Sequence, residues 1–225
     1  MDGPRLVDMC TVLTCTYNKT ELVDYMLRSL RKCLGGDSGM PPVIVMNNGA
    51  ELHSAKSPCP CKCVEIDNTG NRLVKVDGMC GSDRHANAIE YALGLVRTRF
   101  VVLVDDDILF KPEAAGILLG VPDYDAIGEI GWDVVKGDRL FPYFCAFNVE
   151  KMRRDGIHYW RRDASAMSNP KVDTGYSFRE DIMAAGWTIK RIRLAAVIDH
   201  LKGASLRGVD SSKWLERNRR LWDVR

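Results

Sequence analysis

A continuous apolar run that stops at three carboxylates constrains this chain more than any other stretch. The run extends from Phe100 to Val104, and Asp105, Asp106 and Asp107 follow it directly. An unbroken Phe/Val/Leu run of this length predicts a strand that is buried on both faces, as in a parallel sheet. Ligands of open α/β sheets bind beside the carboxyl ends of the strands, which is where these acids stand.

The three acids predict a metal site. Side chains alternate along extended backbone, so Asp105 and Asp107 share a face, with their Cα atoms roughly 6–7 Å apart. Adjacent carboxylates repel each other unless a cation offsets their charge. We expect Mg²⁺ or Mn²⁺, since such ions keep open positions for phosphate oxygens. The alternative is an acidic turn that caps the next helix, although a plain turn does not require three acids behind so apolar a strand.

The composition is that of an ordinary globular domain. The chain has 225 residues, of which 46% are hydrophobic and 28% charged, so it is long enough to bury a substantial core. A net charge of +2 is too small to create the strong positive electrostatic potential that attracts nucleic acid, so we expect no nucleic-acid partner. The absence of a long apolar stretch at the N-terminus and the eight scattered cysteines lead us to expect a cytoplasmic location and reduced thiols.

Strand and helix patterns alternate along the first half of the chain. Met9 to Cys15 and Val43 to Met46 are typical of buried strands, and a helical spacing of apolar residues begins after Thr20, between them. This order predicts an α/β fold with a mostly parallel central sheet and a right-handed crossover. After Pro122 the pattern changes to short strand-like pieces rich in aromatics, and Ile189 to Ile198 is predicted as one further strand.

Other polar clusters follow predicted strands or open predicted helices, and we expect them to converge on the acids. They are Thr16-Tyr17-Asn18, Asn47, Asp173 and His200. The first two clusters offer amide and aromatic groups that suit a base and a ribose. Asp173 either deprotonates an incoming hydroxyl or only caps its helix. His200 either completes the metal shell through a ring nitrogen or is an ordinary surface histidine.

The order of these motifs resembles the GT-A fold glycosyltransferases, and among them the large family 2. Leu103 to Asp107 resembles the family's metal-binding Asp-X-Asp, and Thr16-Tyr17-Asn18 resembles its Pro-Tyr-Asn loop with Thr in place of Pro. Asn47 stands where the second strand of the family usually ends in Asp. His85-Ala86-Asn87 resembles an Asn-rich helix start whose arginine is here displaced to Arg84.

Two later motifs extend the resemblance over nearly the whole chain. Val172-Asp173-Thr174 resembles the family's Glu-Asp base motif without its Glu, and it precedes a helix pattern that ends at Ala185-Gly186, as in the family. A later strand ends in His200. The resemblance implies a single Rossmann-like α/β/α domain over residues 1–225. In that domain, residues 1–120 bind the nucleotide-sugar and residues 121–225 bind the acceptor.

The resemblance also implies an activity and a set of residue roles. The activity is transfer of a sugar from a UDP, GDP or dTDP sugar to a hydroxyl of a glycan or other acceptor, with inversion if Asp173 is the base. Glu180 and Asp181 are alternative bases. The implied metal ligands are Asp105, Asp107 and His200. The implied donor-binding residues are Thr16, Tyr17, Asn18, Asn47, Arg84, Asp105 and Asp106. The implied acceptor-binding residues, which stack on sugar faces, are Trp132, Tyr143 and Phe144.

Other interpretations stay open. A nucleotidyltransferase also uses a metal beside such a sheet, but it usually has a glycine-rich loop after the first strand, and Cys15 to Asn18 contains no glycine. A binding module without turnover is the second rival. The alternating cysteines at 59, 61 and 63 lack the usual zinc-site spacing. The basic helix predicted over Ser212 to Arg225 either packs on the body, which its short length favours, or makes peripheral contact with an anionic membrane.

Overall fold

A seven-stranded sheet forms the centre of the protein. The computed structural model describes residues 5–17, 19–49, 63–67, 81–133, 137–161, 163, 173–201 and 210–223. The strands of the large sheet are β1 (Cys10–Thr16), β2 (Val43–Asn47), β3 (Cys63–Asp67), β4 (Phe100–Asp105), β6 (Ala126–Asp133), β7 (Gly137–Asn148) and β8 (Ile189–Arg191). A second sheet has two strands, β5 (Ile108–Phe110) and β9 (Ile198–His200).

The strand order in the large sheet is β3-β2-β1-β4-β7-β6-β8. The first four strands are parallel, β7 is antiparallel to both β4 and β6, and β8 is parallel to β6. All strands except β7 therefore run in one direction, which confirms the predicted mostly parallel sheet. The pairing of β4 with β7 also joins residues 1–120 and residues 121–225 in one sheet.

Helices cover both faces of this sheet. The helices within the described residues are α1 (Leu6–Met9), α2 (Thr20–Cys33), α3 (Gly81–Leu93), α4 (Ala114–Leu119), α5 (Val149–Arg154), α6 (Tyr176–Ala184), α7 (Leu194–Val197), α8 (Ser212–Arg217) and α9 (Arg219–Trp222). Short 3₁₀ turns lie at Asp37–Gly39 and Val121–Asp123. The helix predicted after Thr20 is thus confirmed, with bounds that match its run of apolar residues.

Strand β4 is buried on both faces, as its continuous apolar sequence predicts. Val102 and Val104 belong to one core, which α2 covers, whereas Val101 and Leu103 belong to a second core, which α3, α5 and α6 cover. Neighbouring strand residues point to opposite faces, so an uninterrupted apolar run is needed where helices pack on both sides. The polar residues of this strand are therefore confined to its end.

The predicted strand over Ile189 to Ile198 is wrong as a single element. It comprises β8, the helical turn α7 and β9. The chain leaves the large sheet, where β8 pairs with β6, and enters the small sheet, where β9 pairs with β5. The apolar residues inside this stretch are buried because they cover the core during that change of sheet, and not because they continue one strand.

The C-terminal basic stretch forms two short helices, α8 and α9, and not one long one. Trp214, Leu215 and Leu221 are buried there in a cluster with Leu22 of α2 and Leu109 of β5. Packing on the body is thus confirmed, and peripheral membrane contact stays a prediction. None of the helices within the described ranges combines the length and the apolar character needed to cross a bilayer.

Strand β7 places two neighbouring aromatic residues in different environments. Tyr143 is half-buried, whereas Phe144 is fully buried and meets Phe110 edge-to-face, with ring centroids 5.8 Å apart. The expectation that Phe144 stacks on an acceptor sugar is therefore wrong. Phe144 lies inside the core that α2 covers and Tyr143 packs at its margin, so the pair does not form one exposed aromatic surface.

We predict that Phe144→Ala destabilises the fold by about 3–5 kcal/mol, because it removes a fully buried ring from the core. Urea unfolding followed by circular dichroism measures this loss. Tyr143→Ala, at the half-buried neighbouring residue of the same strand, serves as the matched variant and should cost less. A loss below about 1 kcal/mol for Phe144→Ala would contradict its core placement.

Candidate metal centre

The register of the parallel strands brings polar strand ends to one edge of the sheet. Thr16 of β1 lies beside Asn47 of β2, and Cys15 lies beside Asp105 of β4. The carboxyl ends of these three strands therefore form one edge, as the sequence pattern predicts. Asp106 and Asp107 continue from this edge into a turn.

His200, on strand β9 of the small sheet, also lies at the carboxyl edge of the large sheet. His200 pairs with Ile108 across β5 and β9, and the N–H of Leu201 donates to the carbonyl oxygen of Asp107 at 3.0 Å. His200 Nε2 lies 3.1 Å from Asp107 Oδ1. Asp105, Asp107 and His200 each offer one ligand atom, and these atoms lie within 4.8 Å of one another. We call these three residues the metal-ligand group.

The chemistry of this group fits a divalent ion. Its side chains are 19%, 9% and 16% exposed for Asp105, Asp107 and His200, so they are largely withdrawn from water. Asp105 Oδ1 is buried and accepts no hydrogen bond from any residue that the structure describes. An ion would satisfy this oxygen, and two carboxylates with one imidazole form a donor set suited to Mn²⁺ that leaves open positions for a ligand.

Burial of the acids changes their protonation. Burial and, to a lesser extent, the neighbouring Asp107 carboxylate raise the pKa of Asp105 to about 7, against the lowering effect of His200. Burial also raises the pKa of Asp106 to about 7, although the hydrogen bond from Thr16 lowers it. A bound cation would favour the ionised form of both acids, because opposite charge offsets the cost of their burial.

Asp106 is held by the end of β1. Thr16 Oγ1 donates to Asp106 Oδ2 at 2.6 Å and accepts from the N–H of Lys19 at 3.2 Å. The hydroxyl of Thr16 is thus engaged in fixing the acid and the turn after β1. Thr16, predicted as a donor-binding residue, lies at the predicted edge, and its bonds make it a support of Asp106.

The other predicted donor-binding residues have different degrees of exposure. Tyr17 is 68% exposed at the end of β1. Asn47 is fully buried, and its Oδ1 accepts from the N–H of Gly49 at 2.9 Å, which shapes the turn after β2. Arg84 is exposed on the first turn of α3. Asn18 lies outside the described residues.

Asp173 lies close to the site and has specific partners. It forms an ion pair with Arg139, and its Oδ1 accepts from the N–H of Thr174 at 2.8 Å. The N-cap of α6 is Gly175, with φ +84°, and a Cβ there would lie 2.5 Å from the carbonyl oxygen of Leu140. Asp173 is therefore not the N-cap of α6, and only glycine allows the helix to begin this close to β7.

Arg139 and His85 are residues of this region to which the sequence interpretation gave no role. Arg139, Phe141 and Tyr143 alternate along β7 and share a face, with the Arg139 guanidinium 5.3 Å from the Phe141 ring centroid. Arg139 Nη2 donates to the Tyr143 hydroxyl at 3.2 Å, and the Tyr143 ring lies 4.3 Å from that of His200. In the sequence, the feature that could have indicated a role for Arg139 is its position as a charged residue in a strand pattern rich in aromatics.

His85 of α3 lies next to the metal-ligand group. Its Nε2 lies 3.6 Å from Asp105 Oδ1, and burial lowers the pKa of His85, although the carboxylates of Asp106, Asp173 and Asp107 oppose this effect. Because burial favours the neutral form of His85, this imidazole does not neutralise the negative charge of the acids, and a metal cation would have to do so.

The remaining predicted residues are less closely tied to this group. Trp132 lies on β6, and its side chain is outside the described residues. Of the alternative bases on α6, Asp181 pairs with Arg161 at 3.2 Å and Glu180 is exposed. Cys59 and Cys61 of the cysteine cluster also lie outside the described residues.

Comparisons with known proteins give matches in structure alone. No protein-family model matches this chain, and no curated protein matches its sequence. The mannosyltransferase PcManGT from Pyrobaculum calidifontis, in complex with GDP-Man and Mn²⁺, is 16% identical, with a TM-score of 0.55 over 92% of this chain and 60% of that chain. Residues 1–349 of S. aureus TarS, in complex with UDP-GlcNAc, are 14% identical, with a TM-score of 0.52 over 95% of this chain and 65% of that chain.

The chain thus spans less than two thirds of the length of these two solved chains. Both are nucleotide-diphospho-sugar transferases of GT-A type, and the match extends over nearly all of this chain. The strand order, the acids at the end of β4 and this structural match together establish that the protein has the GT-A fold.

Proposed function

We propose that this protein is a metal-dependent glycosyltransferase that moves a sugar from a nucleotide-diphosphate donor to an acceptor hydroxyl. The observation that carries the proposal is the metal-ligand group at the carboxyl edge of a GT-A sheet. The presence of GDP-Man with Mn²⁺ in PcManGT and of UDP-GlcNAc in TarS supports a sugar nucleotide as the donor.

The metal-ligand group would hold Mn²⁺ or Mg²⁺ against the donor diphosphate. Such an ion supplies positive charge where the departing nucleoside diphosphate gains negative charge. Asp106, which Thr16 fixes, would bind the ribose or the sugar, and Arg84 would bind a phosphate or the sugar. The exposed ring of Tyr17 would stack on the nucleoside, and Asn18 and Asn47 are further candidates for contacts with the donor.

Asp173 is the candidate general base of an inverting transfer. Its ion pair with Arg139 and its bond from Thr174 fix the carboxylate, and a carboxylate in this position would take the proton of an acceptor hydroxyl. Through Arg139, the same carboxylate is linked to Tyr143, whose ring packs on His200. The acceptor would then enter between Asp173 and the metal-ligand group, with Tyr143 and Trp132 as its aromatic contacts.

Product analysis tests the proposed reaction. The protein is incubated with Mn²⁺, radiolabelled UDP-, GDP- and dTDP-sugars and a panel of hydroxyl acceptors. Release of nucleoside diphosphate is expected, with label in the acceptor. Asp107→Asn should lower this rate by about 10²–10³-fold, because it weakens the charge stabilisation of the leaving group.

Asp123→Asn, which changes an exposed acid in a 3₁₀ turn, is the control for the Asp107 variant and should keep the rate. Pyrophosphate release from a nucleoside triphosphate and a sugar phosphate would instead identify a nucleotidyltransferase. Donor binding without turnover on any acceptor would identify a binding module.

The raised pKa values of Asp105 and Asp106 predict a pH-dependent stability. Both pKa values are about 7 in the folded protein against 3.8 for the free side chain, so the folded state binds more protons than the unfolded state between those limits. Without a divalent ion, the free energy of unfolding should therefore fall as the pH rises from about 4 to about 7. Urea unfolding in EDTA across this range measures the slope.

Two comparisons show whether the acids cause this slope. Asp106→Asn, which keeps an oxygen for Thr16, should make the slope shallower, whereas Asp123→Asn should not. Saturating Mn²⁺ should stabilise the protein more at pH 8 than at pH 5, because the ion binds the ionised acids. A slope that is equal in the wild type and in Asp106→Asn would contradict the assigned pKa of Asp106.

We predict that Asp173→Asn lowers kcat by about 10²–10⁴-fold while donor affinity changes little, because the amide cannot take a proton from the acceptor. Steady-state kinetics and calorimetric titration with the nucleoside diphosphate measure the two quantities. Asp181→Asn is the matched variant on α6 and should keep kcat. A large loss in Asp181→Asn with full activity in Asp173→Asn would transfer the role to Asp181.

A further inference from the structure

The strand that carries His200 is short and belongs to a small sheet. Strand β9 has three residues and pairs with β5, which also has three. A sheet of two strands is marginally stable in water by itself. The position of His200 beside Asp107 therefore depends on what packs against β5 and β9.

The two faces of this small sheet contact different parts of the protein. Ile108, Phe110 and Ile198 lie in the core beneath α2, on the side of β4. Leu109 points the other way and belongs to the cluster formed with Trp214 and the other apolar residues of α8 and α9. The C-terminal helices thus form the outer layer over β5 and β9.

Asp199 bonds to that outer layer. It pairs with Leu109 across the small sheet and so shares the outward face, while His200, the next residue, faces the acids. Asp199 Oδ1 accepts from Trp214 Nε1 at 2.6 Å and from Asn218 Nδ2 at 3.3 Å. Trp214 and Asn218 are both buried, so these bonds are shielded from water.

The helices that hold Asp199 are themselves fixed to the body. Lys32 Nζ donates to the carbonyl oxygens of Arg220 and Asp223, at 2.7 and 2.8 Å, at the end of α9. The ring of Trp222 meets that of Tyr25 on α2, with centroids 4.6 Å apart. A continuous set of contacts therefore leads from α2 through α8 and α9 to Asp199.

We propose that α8 and α9 position the metal ligand His200 by holding Asp199 through Trp214. Asp199 and Trp214 are positioning residues, since both lie on the face of the small sheet that is turned away from the metal-ligand group. They set the place of β9, and this sets the distance from His200 Nε2 to the acids. The inference rests on the proposed function in one respect, which is that Asp105, Asp107 and His200 bind a metal ion.

Trp214→Phe tests this role, because it keeps an aromatic ring and removes the N–H that bonds to Asp199. We expect the affinity for Mn²⁺ alone, measured by electron paramagnetic resonance of free Mn²⁺ at a fixed pH and well below the unfolding temperature, to fall about tenfold. The affinity for the nucleoside diphosphate without metal should not change.

Trp187→Phe is the matched control. It removes a bond of the same kind, from Trp187 Nε1 to Asp155 Oδ2 at 2.9 Å. Trp187 precedes β8 at the edge where β6 begins, opposite the acids. We expect this variant to keep its Mn²⁺ affinity within about twofold, since it leaves the metal-ligand group untouched. An equal loss in both variants would overturn the proposal, because general loosening would then explain it.

A pair of substitutions at Asp199 decides the question if Trp214→Phe does not fold. Asp199→Asn keeps an acceptor oxygen for Trp214 and should retain Mn²⁺ affinity, whereas Asp199→Ala should lose about tenfold. Unchanged Mn²⁺ affinity in Asp199→Ala and Trp214→Phe would overturn the positioning role alone. Failure of the wild-type protein to bind Mn²⁺ would overturn the proposed metal site and, with it, this inference.

Discussion

The burial of carboxylates at the end of an apolar strand, together with their mutual repulsion, is the constraint on which the site depends. Strand β4 is apolar on both faces, so Asp105 and the two acids after it are crowded at its end. Burial raises the pKa of Asp105 and of Asp106 to about 7, which shows how poorly the surroundings stabilise several negative charges together. The bond from Thr16 and the nearness of His200 offset part of this cost, and a divalent ion would offset the rest.

A second buried charge pair extends this arrangement to the candidate base. Arg139 and Asp173 are both largely withdrawn from water, and removing one would leave the other as an uncompensated buried charge. Arg139 also bonds to Tyr143, whose ring packs on His200. The candidate base and the metal-ligand group therefore belong to one packed set of side chains.

The sequence predicted those features that follow from local patterns. The apolar run before Asp105 predicted a strand buried on both faces, and the rule for parallel sheets placed the acids at the edge where His200 also lies. The side of β7 on which Phe144 points depends on strand register, which no local pattern specifies. The pairing of Arg139 with Asp173 joins residues 34 positions apart and belongs to no motif. The break between α8 and α9 falls at Asn218, whose side chain bonds to Asp199, and no local pattern specifies this tertiary contact.

His200 and Asp105 are held in the site by different parts of the fold. Asp105 stands on the large sheet, whose core is shared with the helices on both faces, and Asp107 lies in the turn that leads from this sheet into β5. His200 stands on the small sheet, whose outer face is covered by α8 and α9. A weaker outer layer would therefore move the imidazole relative to Asp105. Metal affinity would then change before the free energy of unfolding of the large sheet does, because the ion needs all three ligands at once.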